Sequence, residues 1–155
     1  MRRPFALLLP LCVLCCTLWS SQQALAVLGE SEASVESDRK ALSASAHTVT
    51  PAHAYTVHGI DAGPNLIREY VSQSGVVFAI AWNGLTHPDL SLLLGSYAAE
   101  YEDASRAVPR EQGRRRHQVK TSRIVVEKWG HMRNLHGRAC IPGLVPPEVR
   151  IDEIK

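Results

Sequence analysis

Apolar residues fall along this 155-residue chain in three patterns, and each predicts a different kind of element. The first is a single apolar run from Phe5 to Leu18, interrupted at Pro10. The second is a set of short, dense runs rich in β-branched and aromatic residues. They are Tyr55–His58, Leu66–Val71, Val76–Trp82, Val119–Lys128 and Met132–Ile141, set off by Gly59, Ser74-Gly75 and Trp129-Gly130. Runs of that length, bounded by turn residues, predict strands. The third is a stripe: Leu90, Leu93, Leu94, Tyr97, Ala98 and Tyr101 recur at three- and four-residue intervals. That is the one-sided spacing of an amphipathic helix, and it predicts one ending near Asp103.

The run Val76–Trp82 is apolar on both sides of a strand. Alternation puts Val76, Phe78, Ile80 and Trp82 on one face. Val77, Ala79 and Ala81 fall on the other, small enough for a helix to approach. A strand buried on both sides belongs in the middle of a sheet. Thr86, with Asp89 three residues later, has the spacing of a capping box and predicts the helix start. Glu100, Glu102 and Asp103 sit at the helix end that disfavours acids, so a basic partner is expected beside them. Val108 to His117 is a polar loop, and Val149–Ile154 is expected as a short edge strand. The order of elements predicts an α+β fold: a small antiparallel sheet of about five strands with one amphipathic helix packed on it.

The ends of the chain read differently. Arg2-Arg3, the apolar run and Ala24-Leu25-Ala26 have the charged start, core and small-x-small cleavage pattern of a secretory signal peptide over residues 1–26. The run is shorter than the roughly 20 residues a membrane-spanning helix needs. The expected working form therefore starts at Val27 and does not span a membrane. Residues 27–53 are poor in large apolar side chains and rich in Ser, Ala and charge, which predicts a flexible arm with a short helix near Val35–Leu42. Residues 54–155 form the expected single domain.

Cleavage changes the charge and the cysteine count. Without Arg2 and Arg3 the 17 basic residues become 15, equal to the 15 acidic ones. Of the four Cys, Cys12, Cys15 and Cys16 leave with the signal, so Cys140 has no partner for an intrachain disulfide. Charge is segregated along the remainder: residues 27–103 carry a net −7 and residues 104–155 a net +7.

Several short motifs together resemble a known family. They are Arg68-Glu69-Tyr70-Val71, Gly75-Val76-Val77-Phe78-Ala79-Ile80-Ala81-Trp82, Pro88-Asp89-Leu90, Leu93-Leu94-Gly95-Ser96-Tyr97, Gly130-His131-Met132-Arg133 and Gly137-Arg138-Ala139 with Pro142. Ala26-Val27-Leu28-Gly29-Glu30 fits as well. The chain resembles an uncharacterised family of small exported proteobacterial proteins built on a domain of unknown function. The resemblance implies export and one small domain. It transfers no activity, cofactor or catalytic residue. At Cys140 the family pattern has an apolar or aromatic residue.

Three groups of residues could carry chemistry. Cys140 and His136, with Arg138 between them, share one face of a regular strand, the arrangement a thiol nucleophile would need. The alternatives for Cys140 are a small buried apolar residue and an intermolecular disulfide in an oxidising compartment. Of the seven His, His47, His53 and His58 fall in or beside the arm, whereas His131, Met132 and His136 with Cys140 would make a soft set for a metal carrier. No metal-ligand spacing matches, and no cofactor is implied. Arg110, Arg114, Arg115, Arg116, Lys120 and Arg123 form a basic run that suits an anionic envelope component. The alternative is a solvated loop paired with the acidic half. No aromatic residues are interleaved for stacking on nucleic acid. Arg68-Glu69 and Glu127-Lys128 read as solvent-facing strand positions, and Trp82 and Trp129 as core or turn packing, with the lining of an apolar pocket as the alternative. The function read from the sequence is a non-enzymatic exported domain that binds an envelope or secreted component. The alternatives are a thiol enzyme using Cys140 with His136, or a metal or apolar-ligand carrier using His131, Met132 and His136.

Overall fold

The computed structural model describes residues 28–109 and 116–155. The expected export segment, residues 1–26, lies outside them, as do Arg110, Arg114 and Arg115.

The α+β class holds, with seven strands among the described residues rather than five. They are β1 (Ala46–Pro51), β2 (Tyr55–Asp61), β3 (Asn65–Ser72), β4 (Val77–Gly84), β5 (Arg116–Lys120), β6 (Val125–His131) and β7 (Asn134–Cys140). All pair antiparallel in one sheet of order β1-β2-β3-β4-β7-β6-β5. Two meanders thus meet at β4 and β7, and β4 is central, as its apolar run predicts. The expected strand over Val119–Lys128 is two strands, because Thr121 folds the chain back. Its Oγ1 accepts from the backbone N–H groups of Arg123 and Ile124, a turn made without Gly or Pro. Trp129 and Gly130, expected in a turn, lie within β6. The turn is at Met132-Arg133, where Arg133 takes φ 63°.

The helix begins later than the capping-box spacing suggests. Asp89 is the N-cap, accepting from the Ser91 backbone N–H at 2.9 Å and the Ser91 hydroxyl at 2.6 Å. Pro88 keeps the residue before it out of helical conformation, so Thr86 cannot start the turn. Helix α2 (Leu90–Leu94) and helix α3 (Ala98–Ala107) are joined by a 3-10 turn at Gly95–Tyr97. Gly95, at φ 46°, supplies the break. The predicted stripe survives it: Leu93, Leu94 and Tyr101 are buried, and Leu90, Tyr97 and Ala98 pack against them. The expected basic partners are present as well. Arg123 donates to Glu100 at 2.7 Å, and Arg106 reaches Asp103 at 2.8 Å and Glu102 at 3.3 Å.

Residues 28–53 are not a loose arm. Leu28 is fully buried and bonds through its backbone N–H to Leu93 O. Gly29 and Glu30 exchange backbone hydrogen bonds with Val77. A 3-10 turn, Glu32–Ser34, leads into helix α1 (Val35–Ala41), at the position the sequence suggests, and Val35 is buried. Polar composition hid β1 because it is an edge strand, exposed at every position.

The two faces of the sheet bury different partners. On the helix face, Ile60, Ile67, Val71, Val77, Ile80, Trp82, Val119, Val126 and Ala139 pack with Leu28, Val35, Leu93, Leu94 and Tyr101. On the other face, Tyr70, Phe78, Ala79, Ala81 and Cys140 pack with Val149 and Ile154 of the C-terminal segment. The helices therefore lie on the Ile80/Trp82 side, not against the small alanines as expected. Phe78 has also changed sides, because the β3–β4 register shifts between Tyr70 and Val71. A bulge inserts one residue and reverses the alternation beyond it. Val149–Ile154 is not an edge strand. It folds around a 3-10 turn at Ile151–Glu153 and lies as a strap on the alanine face. Tyr70 holds its end, donating from its hydroxyl to Lys155 O at 2.9 Å and accepting from the Lys155 N–H at 3.1 Å.

Candidate functional site

The strap covers only part of its face. The uncovered part is built from cross-strand rungs, since residues directly opposite on paired strands point the same way. One rung reads Arg116, Trp129, His136, Asn83 and Leu66 from β5 to β3. The next reads Gln118, Glu127, Arg138, Ala81 and Arg68. The third, Lys120, Val125, Cys140, Ala79 and Tyr70, runs beneath the strap. Arg116, Trp129, His136 and Asn83 of the first rung and Arg138 and Arg68 of the second line an open groove of about 980 Å³ bordered by Asp152 and Lys155 of the strap and by His131 and Asn134 of the β6–β7 hairpin.

A carboxylate organises its floor. Glu127, only 5% exposed, accepts from Arg116 at 2.8 Å, Gln118 at 2.6 Å and Arg138 at 2.7 Å. Arg138, 11% exposed, also donates to Ile151 O at 2.6 Å, tying the floor to the strap. A buried carboxylate needs such saturation to stay charged. The Glu127 and Glu69 side chains, expected to face solvent, are both buried: Glu69 lies fully within β3 on the helix face. Above Glu127 the Trp129 and His136 rings stand parallel, 9° apart in plane and 5.9 Å between centroids. The Arg138 guanidinium lies 5.7 Å from the Trp129 centroid. At the far end, Arg68 donates from Nη1 to Asn83 Oδ1 at 2.8 Å and Lys155 O at 3.2 Å. Arg68 and Arg138 face each other across Ala81, about 10 Å apart at the strand spacing. Four basic side chains, Arg68, Arg116, Arg138 and Lys155, therefore surround the groove, against the carboxylates of Glu127 and Asp152.

The sequence candidates scatter over this frame. Cys140, His136 and Arg138 do share a face. Four residues of strand, however, separate Cys140 from His136 by roughly 13 Å. Cys140 lies in the apolar cluster with the strap, and burial pushes its thiol pKa up, although Arg138 pulls the other way. That environment is opposite to an activated thiolate. Met132 is 92% exposed at the hairpin turn and His131 is exposed, while His136 is stacked on Trp129 and bonded to Asn134 at 2.8 Å. Among the described residues, no group of three His, Cys, Asp or Glu is arranged to hold a metal ion. Of the described members of the basic run, Arg116 alone lines the groove. Arg123 is engaged at the helix by Glu100 and stands 4.8 Å over the Tyr97 ring, and Lys120 is exposed on edge strand β5.

Two histidines lie outside the groove, His58 buried and His87 half-buried. His58 stacks on His47 with 3.1 Å between ring nitrogens, and its Nε2 lies 3.1 Å from Glu32 Oε1. Burial lowers its pKa, with Glu32 opposing and His47 reinforcing the shift. His87 accepts from the Trp82 indole N–H at 3.0 Å through Nδ1, and burial lowers its pKa as well.

Sequence reasoning missed Arg68 and Asn83, and ranked Trp129 as core or turn packing ahead of pocket lining. The available signal was parity: Arg68 lies two residues from Tyr70, and Trp129 two from Glu127, so polar and apolar positions of one face are interleaved along each strand. Among the described residues, no helix is long and apolar enough to cross a membrane. A family model described as "Protein of unknown function (DUF2844)" matches residues 24–154. No curated protein and no solved structure matches the chain.

Proposed function

The chain belongs to the DUF2844 family of proteins of unknown function, and on that premise we propose that it is an exported, non-enzymatic binding module of the bacterial cell envelope. Residues 1–26 direct it out of the cytoplasm and are removed. The groove on the strap side of the sheet receives its partner.

The open, pre-assembled groove carries this reading. Its size falls at the upper end of ordinary ligand sites. Its floor is fixed by the Glu127 network before any ligand arrives, so little ordering cost remains at binding. Arg116, 60% exposed, and Arg68 face solvent from its two ends. The thiol reading has less support, because Cys140 is sealed under the strap, away from His136.

Native mass spectrometry on the protein recovered from its producing cell tests the proposal. The expected result is a chain starting at Val27 that retains an envelope component, with retention weakened by Arg116→Gln. A chain still carrying residues 1–26, or a component retained equally by the variant, would contradict it.

A further inference from the structure

We infer that the groove takes an acidic saccharide, a chain of hydroxylated rings bearing carboxylate groups. This rests on the binding-module reading and names the class of ligand.

Two observations lead to it. First, among the described residues the lining holds no aliphatic side chain: it is Trp, Arg, His, Asn, Gly, Asp and Lys. A lipid tail would find two tryptophan rings there but no aliphatic wall, and would lie among charged and amide groups. A ring carrying several hydroxyls suits this lining. Asn83, Asn134, His131 and His136 offer planar donors and acceptors in different directions, and Trp129 offers an aromatic surface for the C–H face of a sugar ring.

Second, the positive charge is divided between the ends. Arg138 is committed to Glu127 and to the strap. Arg116 donates from Nη2 to Glu127, and Arg68 from Nη1 to Asn83 and Lys155 O; a guanidinium has five N–H donors in all. The two stand at opposite ends of rungs that cross five strands, a span of about 19 Å. One inorganic anion cannot reach both. An extended ligand with carboxylates near its ends can, each meeting a guanidinium fork.

Calorimetric titration of the intact protein with a short oligogalacturonate, its neutral methyl ester and inorganic phosphate tests the inference. The acid form should bind and the ester should bind about tenfold or more weakly, the scale of one charge-assisted hydrogen bond. Phosphate should not compete at equal concentration. Arg116→Gln and Arg68→Gln should each weaken the acid form roughly tenfold without weakening the ester. Trp129→Ala should weaken both. Arg123→Gln, outside the groove, should change neither, and unchanged thermal melts should accompany each comparison. Equal binding of acid and ester would remove the arginine role. Equal competition by phosphate would reduce the groove to a simple anion site. Indifference to Trp129→Ala would remove the ring platform. If no saccharide binds but another envelope component is retained and lost on Arg116→Gln, the saccharide inference fails while the binding module stands. If nothing is retained, both fail. Binding instead to anionic lipid vesicles would overturn the saccharide class in favour of a membrane surface.

Discussion

The two faces of one sheet have been solved in opposite ways. The helix face is closed by burial: Trp82, Ile80 and Ile67 lie under Leu93 and Leu94, and a single contiguous cluster includes Leu28 from the N-terminal segment. The strap face is closed only where Val149 and Ile154 cover Phe78, Ala79 and Cys140. Its remaining half holds a buried ion-pair network open to solvent from above. Apolar burial is non-directional and stabilises whatever it covers. A carboxylate held by three donors is costly to desolvate and fixes geometry in return. The first face is organised for stability, and the second for holding polar groups in set positions.

The largest effect should come from breaking the helix face. Trp82→Ala should cost about 3–5 kcal/mol in a denaturant melt, the usual range for a buried aromatic. Overfilling the same contact should also be destabilising: a Cβ at Gly137 would collide with the Trp82 ring. Gly137→Ala is expected to cost about 1–3 kcal/mol through overpacking. A melt unchanged by either substitution would show that this contact does not hold the sheet together.

The strap face should respond next, and differently. Arg138→Leu leaves Glu127 buried with one partner gone and should cost about 3 kcal/mol. Adding Glu127→Leu should restore part of that loss, because the orphaned charge is removed as well. Additive losses in the double variant would mean that the two side chains do not act as a pair. No such recovery is expected among the apolar side chains of the helix face, such as Ile80 with Leu93, where truncating either partner only removes packing.

The smallest effect concerns pH. His58 and His87 have folded pKa values below the ordinary 6.5, both chiefly through burial. The unfolded chain therefore takes up these protons first as pH falls, so stability should be flat above about pH 7 and decline below 6.5. Protonating His87 at Nδ1 also removes the acceptor of the Trp82 indole, so tryptophan emission should change over the same range. Stability that rises on acidification through this window would contradict the sign. His87→Gln should reduce the emission change and leave the His58 contribution.

The difference between the faces also explains what could be read from the sequence. β2, β3, β7 and the helical stripe were legible because each has a period or a bounded run. β4 was legible as a central strand, but not its facing: an unbroken run has no phase, and the bulge that moves Phe78 leaves no mark in composition. β1 was hidden because an edge strand exposed on both sides, such as His47-Thr48-Val49-Thr50, needs no apolar alternation. β5 and β6 merged because Thr121 makes the turn with its hydroxyl. The groove was the least legible part. Arg68, Asn83, Trp129 and Arg138 come from four strands and meet only through register. Arg138 and Arg116 were noticed for other reasons, one beside a thiol and one in a basic run. The basic run was local in sequence and dispersed in space, with Arg123 drawn to Glu100 and Arg116 to Glu127.

The central claim is that the uncovered half of the strap face is where this protein meets its ligand. Amide and indole chemical-shift mapping during titration with a short oligogalacturonate tests it most directly. The account predicts saturable shifts at the Trp129 indole and at Arg68, Asn83, Arg116 and His136, with Leu93, Leu94 and Ile80 unmoved. Shifts confined to the helix side around Arg123 and Tyr97, or no saturable shift in the groove, would contradict it.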